Sequence, residues 1–180
     1  MQDPEVTRIV APTYVEWSKG STSWPKHLYV EEDGTFCDDL SASSWERKVV
    51  ETETSREDTL GWLRNVDRKP WSLCIPRREG TGWRPFYPDF IFFKQTRTGV
   101  VAYIVDPHYM LAEDMPERAV ALAKYAQEHG EHYARIEMVV YENQNDTIGR
   151  RLNLSDEAIR ERAARVKSRE ELAPLYVELE

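Results

Sequence analysis

Two aspartates stand where strand ends could bring them together. Asp89 follows Pro88 at the head of a strand-like run, and Asp106 closes the next one in Tyr103-Ile104-Val105-Asp106-Pro107-His108. If those strands are neighbours, both carboxylates reach one place. Hard oxygen donors of this kind suit Mg2+ or Mn2+, which keeps several waters and takes phosphate oxygens from a substrate. A third carboxylate is placed by helical phase. Trp45, Glu46, Val49, Val50 and Glu53 fall on one broad face at about 100° per residue, so Glu46 sits inside an apolar stripe and needs a partner. Each strand acid also has a plain structural reading. Asp89 can bind turn amides, and Asp106 is held extended by the proline after it.

The elements that must position these residues are legible from spacing. Serines 43 and 44 cap a helical pattern from Trp45 to Glu53. Thr59 to Arg64 reads as another short helical piece. Three strands are expected over Trp71–Pro76, Tyr87–Lys94 and Val100–Asp106, with turns at Gly80-Thr81-Gly82 and Thr96–Gly99. Pro116 to His129 predicts a helix stopped at Gly130, and Tyr133 to Tyr141 a strand rich in Ile and Val. After a turn at Asn143–Asp146, Arg150–Leu154 predicts a last short strand, and Ser155-Asp156-Glu157 and Ser168-Arg169-Glu170-Glu171 open helices. Ahead of all this, 27–30 and 35–37 flank Asp33-Gly34 as a β-hairpin, with His27 on its surface. The fold class is therefore α/β, an α+β arrangement around a mixed sheet. The first strands form a meander, and the strand after the helical crossover joins roughly parallel to one of them.

A chain of 180 residues, 41% hydrophobic and 31% charged, fits one domain: a β-rich extension over 1–42, a core over 43–142, and a strand with helices over 143–180. No run of about 18 apolar residues marks a membrane span, and residues 1–12 lack a signal-peptide layout. Cys37 and Cys74 form neither a disulfide framework nor a zinc motif, which fits the cytoplasm. A formal charge of −8 runs against nucleic-acid binding. Locally, though, Arg64, Arg68, Lys69, Arg77, Arg78 and Arg84 are basic ahead of the two aspartates, either as a nucleic-acid contact or as a solvated loop. Trp83, beside Arg84, either packs or stacks on a base or another protein.

Ser44-Trp45-Glu46-Arg47, Trp62-Leu63-Arg64-Asn65, Tyr87-Pro88-Asp89-Phe90-Ile91 and Ile104-Val105-Asp106-Pro107-His108 together resemble the restriction-endonuclease-like nucleases. The likeness is closest to the C-terminal nuclease-like part of some bacterial DEAD/DEAH-box helicases and type III restriction subunits, and it covers about residues 44 to 141. The resemblance implies a core of order α-β-β-β-α-β. It makes Asp89 and Asp106 the two motif acids, gives the Pro107 carbonyl and Glu46 to the same Mg2+ or Mn2+ site, and places His108 where the family has a lysine. His108 would then orient or deprotonate water, bind metal, or mark lost catalysis. Lys94 and Lys124 are candidates for the missing charge, and Arg68, Lys69, Arg77, Arg78, Arg84 and Lys124 for contacts to DNA. The implied function is phosphodiester hydrolysis in bacterial restriction, defence or DNA processing, with a helicase or translocase partner. The alternative is an inactive nuclease-derived binding or assembly module.

Overall fold

A computed structural model describes residues 12–17, 20–40, 44–141 and 149–179. The cap expected from Ser43 and the turn expected at Asn143–Asp146 lie outside them. The helical spacing after Ser44 folds as α1 (Ser44–Thr54). Its buried face carries Val49 and Val50.

Thr59–Arg64, expected to be helical, is instead strand β1, with Thr59, Trp62 and Leu63 buried. Six residues are too few to hold a helix by themselves, and here the backbone is claimed from both sides. One side pairs with β4 (Phe90–Thr96). On the other, the Leu28 N–H donates to the Trp62 carbonyl at 2.7 Å, and the Trp62 N–H donates to the Lys26 carbonyl at 2.9 Å.

The strand expected over Trp71–Pro76 does not join this sheet. Only its last two residues are strand, at the start of a separate hairpin of β2 (Ile75–Glu79) and β3 (Gly82–Phe86). Gly80 turns that hairpin at φ +58°, a conformation glycine adopts without a Cβ clash.

The expectations from Val100 onward hold closely. β5 (Gly99–Tyr109), α2 (Met115–His129), β6 (Tyr133–Tyr141) and β7 (Arg150–Asn153) follow in order. The chain ends with α3 (Glu157–Ala163), α4 (Arg169–Leu172) and β8 (Val177–Glu178). Asp156 and Ser168 cap α3 and α4 through their side chains. The mixed six-stranded sheet runs β1-β4-β5-β6-β7-β8. β5 and β6 are parallel, joined through α2, and the remaining pairs are antiparallel.

The N-terminal hairpin is present only as its turn. Gly34, at φ +80°, closes onto Glu31, and the Glu31 N–H meets the Thr35 carbonyl. The flanks pair elsewhere, Cys37 with Ser23 and His27 with Trp62. The reason is aromatic packing. His27 is not a surface residue; it is buried, stacked on Phe36 at 3.4 Å between ring centres, with its edge contact to Trp62 beneath.

Both faces of the sheet are covered. Ile104, Ile136 and Met138 meet Met115, Ala119, Leu122 and Ala126 of α2. On the opposite face Phe90, Phe92, Tyr103 and Val139 meet Val49, Val50 and the aromatics of residues 20–40. No helix among the described residues is long and apolar enough to cross a membrane.

Candidate functional site

The antiparallel register of β4 and β5 sets Phe90 opposite Val105, which brings Asp89 beside Asp106. The Asp89 N–H donates to Asp106 Oδ1 at 3.1 Å. Asp106 is 0% exposed, and its Oδ2 is buried without a hydrogen-bond partner. The backbone of Asp89 is fixed from behind by Asn65, a buried residue that closes four hydrogen bonds. Asn65 Nδ2 donates to the Leu73 and Pro88 carbonyls, Asn65 Oδ1 accepts the Leu73 N–H, and the Asn65 N–H itself donates to the Asp89 carbonyl at 2.8 Å. Both ends of the excursion that carries the β2–β3 hairpin are thereby tied to the end of β1.

Burial dominates the electrostatics. It pushes the Asp106 carboxyl up to about 7, against the pull of the Arg118 cation and the Asp89 N–H, with Asp114 and Glu46 adding to the push. Asp89 is raised well above the usual carboxylate range. Desolvation leads, then the charges of Asp106 and Glu46, and Arg118 and Arg64 oppose them. Asp89 keeps partial solvent access while Asp106 has none, so the pair opens outward through Asp89.

Glu46 reaches this neighbourhood from α1, held by Arg64, whose Nη2 lies 3.3 Å from Glu46 Oε2. The same guanidinium grips both oxygens of Asp38, at 2.9 and 3.1 Å. Pro107 is buried next to Asp106 and stands opposite Val139 of β6. His108 is half-buried, with Nε2 3.5 Å from Asp114 Oδ1. Burial and then the Arg118 cation lower it to about 4, so its ring is neutral near pH 7.

Neither lysine suggested for the missing charge is near. Lys94 lies at the far end of β4, opposite Val101, and faces Asp58 at 3.7 Å. Lys124 is exposed on α2 and lines a different groove. The charge comes instead from Arg118, which sequence reading missed. Arg118 Nε donates to Asp114 Oδ2 at 2.8 Å, its guanidinium lies over the Phe86 ring, and its cation acts on Asp89, Asp106 and His108. The available signal was helical spacing, because Asp114 and Arg118 are one turn apart at the start of α2.

The basic residues divide. Arg68 and Lys69 are exposed on the connecting loop, with Arg68 at φ +59°. Arg77 is ion-paired with Glu79 and Asp114, and Arg84 with Glu79. Arg78 lies over the Trp83 ring. Cys37 and Cys74 are free, half-buried thiols. Among the described residues no group of three or more His, Cys, Asp or Glu side chains is arranged to hold a metal ion. The side-chain set at this place is the aspartate pair, with Glu46 engaged by Arg64.

Residues 25–178, spanning Asp89, Asp106 and the groups around them, match the YagJ family. The chain belongs to the YagJ family. Protein YagJ of Escherichia coli (strain K12) is 36% identical over 117 residues, 64% of this chain and 47% of that protein. The match thus spans about half the length of this curated relative. No solved structure matches the chain.

Proposed function

We propose that this chain is a restriction-endonuclease-like, metal-dependent DNA nuclease domain that hydrolyses phosphodiesters, working with a helicase or translocase in bacterial restriction, defence or DNA processing. The observation that carries the reading is the joining of Asp89 and Asp106 across β4 and β5, with a buried, unpartnered Asp106 Oδ2. The order α1, β1, β4, β5, α2, β6 supports it, since these elements run helix, three strands, helix, strand once the β2–β3 hairpin is taken as an insertion.

Two carboxylates fit Mg2+ or Mn2+ better than a structural metal, because those ions are bound by one or two protein carboxylates and complete their shell with water and phosphate oxygens. Asp89 and Asp106 would hold the ion, with the Pro107 carbonyl and Glu46 beside them. When bound, it supplies Lewis acidity and a water of lowered pKa. The protein's own groups do the rest. Asp106 Oδ1 orders the Asp89 backbone, Arg118 offers fixed positive charge to a phosphate, and neutral His108 can accept a proton from water at Nε2 or Nδ1.

Incubation with plasmid, linear and single-stranded DNA in Mg2+ and in Mn2+ tests the reading. Cleavage is expected for the parent and not for Asp106→Ala. Arg118→Gln is expected to lose on the order of 100-fold, as for removal of a group that stabilises transition-state charge. Absence of cutting in every arm overturns the enzymatic reading. One observation favours a second reading, an inactive assembly or binding module: the neutral His108 at the motif's lysine position.

A further inference from the structure

A second concavity lies between the β2–β3 hairpin and α2, closed on its third side by Val166 and Lys167 after α3. Its volume is about 200 Å³, below the roughly 300 Å³ at which pockets for drug-sized ligands begin. It has room for one ring system. Trp83 forms one wall, with the Arg78 guanidinium 4.2 Å from its ring centre, and Val120 lies in the apolar floor. The Trp83 indole N–H is buried and has no acceptor. Lys124 and Lys167 stand exposed at the rim, and neither pairs with an acid among the described residues. Against these three cations the lining holds one acid, Glu117. The Glu171 carboxylate accepts the Lys167 backbone N–H at 2.9 Å, and the lining itself keeps an excess of positive charge in a chain of net charge −8, which favours an anion there.

We infer that this pocket takes one unpaired nucleotide of a single-stranded nucleic acid. The base packs against the Trp83–Arg78 pair and offers an acceptor to the indole N–H, while Lys124 and Lys167 meet the adjoining phosphates. Aromatic rings and guanidinium planes are the usual stacking partners of unstacked bases. Pro116 lines the pocket two residues beyond Asp114, and Asp114 is ion-paired to Arg77, the neighbour of Arg78 on β2. The inference rests on the nucleic-acid side of the proposed function and not on its chemistry.

Fluorescence anisotropy of labelled oligothymidine, oligouridine and a duplex, all in EDTA, tests it with the whole chain. Single strands are expected to bind more tightly than duplex. Trp83→Leu should weaken single-strand binding about tenfold, leaving duplex binding unchanged, and Trp83→Phe should recover most of the loss. The exposed pair Lys124→Gln with Lys167→Gln should flatten the salt slope by about 1.4, two contacts at about 0.7 each. The oligothymidine and oligouridine arms tell whether DNA or RNA is the source. Failure of the parent to bind single strands, or unchanged binding in both variants, overturns the inference. Single-strand binding without any Mg2+-dependent cutting leaves this pocket standing and removes the nuclease chemistry. Cutting that is indifferent to Trp83 and the lysines does the reverse.

Discussion

Asp106 is costly to keep. Its carboxyl is fully buried, lacks a partner for Oδ2, and stands beside a second acid. In the unfolded chain the same group titrates near about 3.9, whereas in the folded protein burial raises it to about 7. The folded state therefore holds the proton more tightly. The stabilisation this gives is complete below about pH 4 and is lost as pH rises towards about 7. Asp89 acts in the same sense. Replacing Asp106 by Asn keeps an acceptor for the Asp89 N–H and removes the charge. A displacement of this size corresponds to a few kcal/mol, and a domain of this length moves its Tm by roughly 2–4 °C per kcal/mol. Asp106→Asn is therefore expected to melt about 5 °C or more above the parent at neutral pH, with the gap closing near pH 4. A Tm series across that range checks it, and a variant less stable than the parent at neutral pH contradicts it. Stability withheld at one residue is consistent with the site proposed above. Asp89, Asp106 and Glu46 were legible at this scale because strand ends and helical phase announce them. Arg118 was not, because an arginine one turn into an amphipathic helix reads as a solvated charge until the sheet beneath it is known.

Among the elements, α1 must be held at both ends for Glu46 to face the aspartates. Arg64 holds the first turn. The last turn is held by Glu53, which accepts the Tyr103 hydroxyl at 2.8 Å and pairs with Arg56 and Arg135. Arg135 also reaches Glu137 at 2.9 Å and lies over the Tyr103 ring. Glu53 and Glu137 are both buried, so Arg135→Met leaves Glu137 without its ion pair and Glu53 with only Arg56 and the Tyr103 hydroxyl. The expected cost is about 3–5 kcal/mol, that of breaking a buried ion pair from one side, read as a fall in the denaturation midpoint at unchanged slope. The stripe that places Glu46 on the buried face places Glu53 there too, and the structure gives each a guanidinium. What spacing could not give was β1. Thr59–Arg64 is a strand because Lys26–Leu28 and β4 both take its backbone, and neither partner is adjacent in sequence. The same nonlocal competition dissolved the expected N-terminal hairpin, whose His27 and Phe36 stack on each other and both make edge contacts with Trp62.

At the scale of the whole molecule, the sheet divides two apolar cores, one under α2 and one under α1. The aspartate pair lies at their seam, drawing charge from Arg118 on one side and from Glu46 and Arg64 on the other. The mixed sheet with its parallel β5–β6 pair was legible in the change of period after Asp106, whereas the separate hairpin was not, because its strands are bounded by the same glycines that would bound a longer strand. A net charge of −8 makes anion binding local to the few cationic surfaces and steeply dependent on salt. The same net charge would favour uptake of a cation at the metal site proposed above. Isothermal titration of Mn2+ into the parent and into Asp106→Asn at neutral pH measures that uptake directly. One saturable site is expected in the parent, weakened at least about tenfold in the variant, the lower end of what loss of even a supporting group costs. No binding heat in the parent, or equal binding in the two proteins, would contradict it.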